Sequence, residues 1–490
     1  MKIKDFDYYL DKIGEIGFVE ESVYCLTYIS GLPNIHLGEV VIFESGDLGY
    51  TLSLNRDQVL VLLLTETRIK VGSKAVRTGE NIKAPVGNEV LGRLIDPLGR
   101  VKDYGKPFLS FELKPVDVSP PNITQRKQVE KPLETGVTIV DLVIPLAKGQ
   151  RELVIGDRKT GKTEFLLHTL LTQALKGTVC IYAVIGQKQI DINKLYEFFE
   201  AKGIRKNTLI VASSSSDPAG QIFLTPYTAM TIAEFYKDKG MDVLLILDDM
   251  TTHARMYREI SLLAKRFPGR ASYPGDIFYI HAKLIERAGN FNKGSITCLP
   301  VAEAILGDLS GYLQTNLMAM TDGHIFFDTD FFNQGKRPAI NPFLSVTRVG
   351  HQVQSMLQKD ISRELSSFLV GYERMKQFLH FGAEVGDTAR RTLALGAKID
   401  VFFNQSINAS IPLNANIFIL SALWSGVWNE TDEIRLRQEM EQVVLVYQTD
   451  DTFKKQIDDL LNSAKTFSEV VNYLRRNTEL ITGKIVRSKV

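Results

Sequence analysis

The 490-residue chain is poor in the features that announce several protein classes. It has three cysteines, Cys25, Cys180 and Cys298, far apart in sequence. That spacing excludes a local cysteine metal knuckle and offers no disulfide framework, so Cys180, inside an apolar run, reads as a buried structural thiol. The seven histidines are scattered and form no ligand pattern. Neither sign of charge is in excess, with 58 basic residues against 57 acidic ones. Such a balance exerts no general pull on nucleic acid or anionic lipid, and no nucleic-acid partner is expected. No segment reaches the roughly 18 apolar residues of a membrane helix. The start, Met1-Lys-Ile-Lys-Asp-Phe-Asp7, lacks the apolar core of a signal peptide. These absences predict an intracellular chain in a reducing compartment. There is no internal repeat and no low-complexity tract. With 44% hydrophobic and 23% charged residues, the composition is that of a globular protein, and its length predicts about two to four domains.

The most informative segment is Gly156-Asp-Arg-Lys-Thr-Gly-Lys-Thr163, directly behind the apolar run Leu153-Val154-Ile155. Two glycines at this spacing let the backbone curl so that successive N–H groups point at phosphate oxygens. Gly156, Asp157, Arg158, Lys159, Thr160 and Gly161 form the cradle. Lys162 supplies a cation for the β- and γ-phosphates, and the Thr163 hydroxyl is placed to ligate Mg²⁺. The helix expected over Glu164–Leu175 directs its positive end at the same anion. A second run, Asp242-Val-Leu-Leu-Ile-Leu-Asp-Asp249, reads as a central parallel strand ending in two carboxylates. Ligands gather at that end of open α/β sheets, so Asp248 is the Walker B candidate for Mg²⁺. Asp249 has two readings, a second site carboxylate or a helix cap for the segment near Thr251.

Punctuation by glycine divides the chain. Residues 1–13 read as a short helix or arm. Val23–Ile29, Glu39–Phe43, Tyr50–Leu54, Gln58–Leu64 and Ile69–Val71 are brief β-type runs, which suggest a small barrel. A stretch rich in turns follows, with Asp96-Pro-Leu-Gly99 as a turn. From Leu133 to about residue 350, strands alternate with helical patterns: a parallel α/β core of P-loop type. Helical periodicity then dominates, as in Ile434–Tyr447 and Phe467–Leu474. The expected fold is α/β with three domains: an arm and six-stranded-type β-barrel over 1–83, a P-loop (RecA-like) nucleotide-binding domain over 84–352, and an α-helical domain over 353–490.

Longer strings carry a resemblance. Gly149-Gln-Arg-Glu-Leu-Val-Ile-Gly-Asp-Arg-Lys-Thr-Gly-Lys-Thr163, Ile185-Gly-Gln-Lys188, Phe267-Pro-Gly-Arg270 running into Tyr273-Pro-Gly-Asp276, Thr321-Asp-Gly-His-Ile-Phe326, Arg337-Pro-Ala-Ile-Asn341 and Leu344-Ser-Val-Thr-Arg-Val-Gly350 resemble the α subunit of F-type ATP synthases. The similarity runs from about residue 15 to at least 412 and weakens toward the C-terminus. It implies a hexamer of α- and β-type subunits alternating around a γ-type shaft. ATP is turned over at interfaces dominated by the β-type chain, while the α-type chain binds ATP or ADP without hydrolysing it. In that setting Arg348 matches an arginine finger acting on the neighbouring β-type site, and Ser345 matches a serine that supports it. Gln405 falls near a glutamine that contacts adenine, in a segment, Asn404–Pro412, longer than usual.

The residues give their own reason for a silent site. Hydrolysis needs a group that polarises the attacking water. Catalytic relatives carry a Glu where this chain has Gln187, and an amide accepts no proton; nearby Asp191 reads as a helix cap. The chain also departs from the family pattern. Lys159 replaces a Gln within the loop, Thr251-Thr-His253 replaces Ser-Lys-Gln, and Ala271 replaces a Glu. The N-terminal helix, where a stator docks in the family, is shorter than usual. The expected place is cytoplasmic, peripheral to the inner membrane face. The expected load is a proton channel or, in a specialised head, other machinery such as motility. Two alternatives remain open at this stage. One is a self-sufficient homohexameric export-type ATPase, which Gln187 opposes. The other is a hexameric RNA translocase, which the balanced charge opposes.

Overall fold

The computed structural model describes residues 4–380, 386–405 and 410–479. Most of the unusual stretch after Gln405, residues 406–409, and the C-terminal residues 480–490 lie outside them.

Helix α1 (Phe6–Ile13) opens the chain. The Asp5 carboxylate accepts the Tyr8 N–H at 3.0 Å and caps it, and Gly14 in the left-handed region ends it. Its Tyr9 packs on Ile42 and Val76 of the barrel that follows. Strands β1 (Ile16–Val23), β2 (Leu26–Ser30), β3 (Glu39–Phe43), β4 (Leu48–Leu54), β5 (Val59–Leu63) and β6 (Lys74–Asn81) close in the order β1-β2-β5-β4-β3-β6. Closure leaves no sheet edge for another chain to add to.

Two sequence expectations fail here. The run Val23–Ile29 is not one strand but the turn of a hairpin. Tyr24 and Cys25 form the loop, with Tyr24 at φ 57. The usual Asn-Gly or Asp-Gly signature of such a turn is absent, which is why the pattern reads as continuous strand. Ile69–Val71 is a loop: Ile69 is buried in the barrel core while the Lys70 carbonyl and Gly72 form a turn.

The central domain is a nine-stranded sheet flanked by helices. Eight strands lie in one row: β7 (Leu94–Ile95), β8 (Glu152–Gly156), β9 (Val179–Gln187), β10 (Thr208–Ser214), β11 (Asp242–Asp248), β12 (Ser295–Glu303), β13 (Gly323–Phe327) and β14 (Val346–Thr347). Their order is β14-β13-β8-β12-β11-β9-β10-β7, parallel except for the antiparallel β13/β14 pair. Both faces are covered, so the strands read as continuous apolar runs. Alternation decides the face. Val154, Cys180 and Tyr182 join one core with the C-terminal helices, whereas Leu153, Ile155, Ile181 and Ala183 join the other.

Helices α2 (Thr138–Val143), α3 (Lys162–Leu175), α4 (Gln189–Ala201), α5 (Ala219–Asp238), α6 (Met250–Leu263) and α7 (Ile277–Ile285) flank the sheet. Asp191 does not cap α4. The helix begins earlier, behind Lys188, and Asp191 sits in its first turn, where its charge faces the helix dipole. The C-terminal part holds six described helices, from Met356–His380 to Phe467–Arg476, and the buried one among them, Leu413–Ser425, is at their centre. Among the described residues no helix is long and apolar enough to cross a membrane.

Candidate nucleotide site and a detached arginine

Parallel strands bring their C-terminal ends to one edge of the sheet. There β8 delivers the loop Gly156–Thr163, β9 delivers Gln187, β11 delivers Asp248 and β12 delivers Glu303. Gly156 is required by space: a Cβ there would lie 2.4 Å from the Phe327 carbonyl oxygen. Gly161, at φ 96, is required by conformation and precedes the first turn of α3. Lys159 holds a left-handed φ of 64 at the exposed bend of the loop.

Lys162 folds onto the loop and donates through Nζ to the carbonyls of Gly156 at 2.7 Å and Asp157 at 2.6 Å. Burial pushes its ammonium below the ordinary value, against the pull of Glu303, Asp248, Asp249 and Asp157. The loop is braced from outside as well. Asp157 accepts the Gly307 N–H at 3.0 Å and the Thr329 hydroxyl at 2.8 Å. Thr160 donates to the Asp157 carbonyl at 2.8 Å. Thr163 stands exposed at the helix start.

Asp248 is buried and accepts the Tyr182 hydroxyl at 2.7 Å. Burial raises its carboxyl above the usual range, with Tyr182 opposing. Asp249 is the cap of α6 and accepts the Thr252 N–H. Burial, then the neighbouring Asp248, lifts it to about 6. Gln187 donates to the Asp248 carbonyl at 3.3 Å.

Gln405 lies apart, at the foot of α2. Its Oε1 accepts the Thr138 N–H at 3.1 Å and its Nε2 donates to the Gly136 carbonyl at 2.7 Å. Its own N–H donates to the carbonyl of Arg337, whose guanidinium lies 3.7 Å from the Phe332 ring centroid. Arg337 also acts electrostatically on Glu164, next to Thr163, so this cluster neighbours the loop helix.

Arg348 stands elsewhere. Register aligns Glu152 of β8 with Gly323 of β13, and Gly323 with Thr347 of β14. Arg348 therefore emerges level with the start of β8, while the phosphate loop leaves its end. Four residue steps at about 3.3 Å put the two edges about 13 Å apart along the strand. The Arg348 side chain is exposed and has no hydrogen-bond or ion-pair partner among the described residues. The segment below it is fixed: the Ser345 hydroxyl accepts the Phe326 N–H at 2.9 Å and donates to the Asn341 carbonyl at 2.7 Å.

The model of the nucleotide-binding domain of the ATP synthase alpha/beta family matches residues 136–347, and that of the family's C-terminal domain matches 352–485. The chain belongs to this family. Among its relatives, an ATP synthase subunit alpha of Neorickettsia sennetsu is 38% identical over 446 residues, which cover 88% of this chain and 87% of the relative. One of Aquifex aeolicus is 39% identical over 441 residues, covering 88% and 86%. One of Clostridium acetobutylicum is 40% identical over 400 residues, covering 81% and 79%. Within the family the sequence is alpha-like, and the C-terminal match continues through the region where the sequence resemblance weakens.

Sequence reasoning missed several groups that the structure brings to or near the candidate site. Glu303 receives Arg158 at 2.6 Å and Arg255 at 2.8 Å. It ends an apolar strand as Asp248 does, which is a signal that could have found it. Tyr182, Arg337 and Phe332 reach the site only through strand register and loop return, and no local pattern marks them.

Proposed function

We propose that this chain is the non-catalytic, nucleotide-binding alpha-type subunit of a rotary ATPase hexamer, and that it supplies Arg348 in trans to the catalytic site of a beta-type neighbour. The position of Arg348 carries the reading: an exposed guanidinium with no hydrogen-bond or ion-pair partner among the described residues, on a braced loop, at the sheet edge away from its own phosphate loop. The named relatives, subunits alpha of ATP synthases, support the setting.

In this reading the chain's own site binds ATP or ADP. Loop N–H groups and Lys162 take the phosphates, with Arg337, Phe332 and Gln405 around the base. Thr163 and Asp248 are hard oxygen ligands of the kind Mg²⁺ takes, and among the described residues no cluster of three His, Cys, Asp or Glu side chains could hold a metal unaided. An ion held here shares its shell with phosphates and water, and supplies charge neutralisation when bound. The site stays silent because no carboxylate is free to serve the attacking water: Asp248 is taken by Tyr182 and the ion, and Asp249 by the cap of α6. Gln187 is an amide engaged with a backbone carbonyl. Glu303, despite burial, is held below the usual carboxylate range by Arg158 and Arg255.

Arg348, seated against the neighbour's γ-phosphoryl group, stabilises charge that develops in the transition state. The test reconstitutes the hexamer with its beta-type partner, wild type against Arg348→Ala; near-normal turnover of the variant in an intact hexamer would sink the reading. The isolated chain is expected to bind Mg-ATP with turnover below the usual enzyme range of about 1–10³ s⁻¹. Mild native purification is expected to return a beta-type chain and a γ-type shaft. The load co-purifying with them would be a stator and proton channel or, in a specialised head, other machinery such as motility.

A further inference from the structure

Beneath Arg348 lies a buried polar chain that the reading above leaves without a role. Glu152 is fully buried at the start of β8. Its Oε2 accepts the Gln150 Nε2 at 2.7 Å, and its Oε1 has no hydrogen-bond partner among the described residues. Gln150, also fully buried, is held at its carbonyl end by the Ala147 N–H at 2.9 Å. Its second Nε2 hydrogen reaches the Thr347 hydroxyl at 3.0 Å. Thr347 donates to the Pro145 carbonyl at 3.0 Å and accepts the Gly350 N–H at 3.2 Å. Gly323 makes room for the carboxyl, since a Cβ there would lie 2.7 Å from Glu152 Oε2.

A buried polar side chain with an unmatched oxygen costs stability, so its presence calls for a reason. We propose that Glu152 and Gln150 are positioning residues for the Arg348 finger, acting through Thr347; this rests on Arg348 acting in trans. Glu152 fixes which way the Gln150 amide faces. The amide then clamps the Thr347 hydroxyl, and the residue after Thr347 leaves the sheet at a set place and angle. A misplacement of about 1 Å in a charge aimed at a reacting group costs on the order of 100-fold in rate. Burial, reinforced by Asp322, pushes the Glu152 carboxyl well above the ordinary range, against Gln150 and Arg348. A glutamine in its place would offer Gln150 the same kind of carbonyl acceptor, so the geometry at Oε2 survives that change.

The test uses the reconstituted hexamer. Glu152→Met and Thr347→Val are each expected to lower kcat about 10- to 100-fold, with KM for Mg-ATP and hexamer assembly unchanged. Glu152→Gln is expected to stay close to wild type. In the Arg348→Ala background neither Glu152→Met nor Thr347→Val should lower the rate further, because both act through that residue. Losses that persist in that background, or a Glu152→Gln as damaged as Glu152→Met, overturn the inference. A crippled Arg348→Ala beside normal Glu152→Met and Thr347→Val overturns it alone; a near-normal Arg348→Ala overturns the finger reading and this inference with it. Should Glu152→Met fail to assemble, the half-buried Thr347→Val decides.

Discussion

Lys162 and Arg348, at opposite edges of the central sheet, are handled in opposite ways, although the edge of Arg348 also holds the Arg151–Asp322 ion pair. At the C-terminal edge, cations and carboxylates of the same chain face one another. Lys162 sits on two loop carbonyls amid Asp157, Asp248, Asp249 and Glu303, and Glu303 takes two arginines. Partial burial strengthens each attraction, and shifts Lys162 down and Asp248 up. At the other edge, the Arg348 side chain has no hydrogen-bond or ion-pair partner among the described residues and feels only the field of Glu152 and His324, yet the segment below it is held by Ser345, Thr347 and Gln150. A flexible cation that merely solvates a surface needs no such bracing. On the reading proposed above, the contrast separates a site completed within one fold from half of a site whose counterpart would lie on another chain.

The largest effect that could break this comparison is at Arg348. Arg348→Ala should leave the hexamer assembled and nucleotide bound, because the finger acts mainly on the transition state. Hydrolysis by the complex should fall about 10²–10⁵-fold, measured as steady-state turnover beside nucleotide affinity. Arg348→Lys should recover little, since a point charge on a flexible stem does not reproduce the planar fork. The mirror experiment is at the other edge. Lys162→Ala removes charge-assisted contacts of about 1.5–3 kcal/mol each, so nucleotide affinity of the isolated chain should drop about 100-fold or more. Turnover at the beta-type site should persist in part. Equal loss of turnover from both variants would erase the distinction between the edges.

A smaller effect sharpens it. Ser345→Ala removes the acceptor of the Phe326 N–H and one of two donors to the Asn341 carbonyl, the Ser345 N–H remaining. The expected cost is about 1–3 kcal/mol of stability, visible as a lower midpoint in thermal or denaturant unfolding. Turnover should fall about tenfold by misplacement of the finger, with the chain's own nucleotide affinity unchanged. A change in that affinity would mean that the two edges are coupled.

What the sequence determined by itself is what contiguous residues encode. Gly156–Thr163 specifies a phosphate loop because its glycines, lysine and threonine act within one turn of backbone. The apolar run ending in Asp248 declares a buried strand because both its faces need covering. The central strands, α3 and the helical tail follow from the same periodicities. Local readings failed where a neighbour decides the outcome. Val23–Ile29 folds back at Tyr24 without a turn signature, and Asp191 falls inside the first turn of a helix that starts at Gln189. Tertiary structure alone decided where chemistry distant in sequence meets. Strand register put Tyr182 on Asp248 and Glu152 and Gln150 beneath Thr347, while the loop and helix that follow two strands brought Arg158 and Arg255 to Glu303. It also set Arg348 at the edge away from its own loop. The physical reason is that a parallel sheet aligns strand ends through hydrogen bonds between residues far apart in sequence. Which edge a side chain occupies is therefore a property of pairing, and no short run of residues contains it.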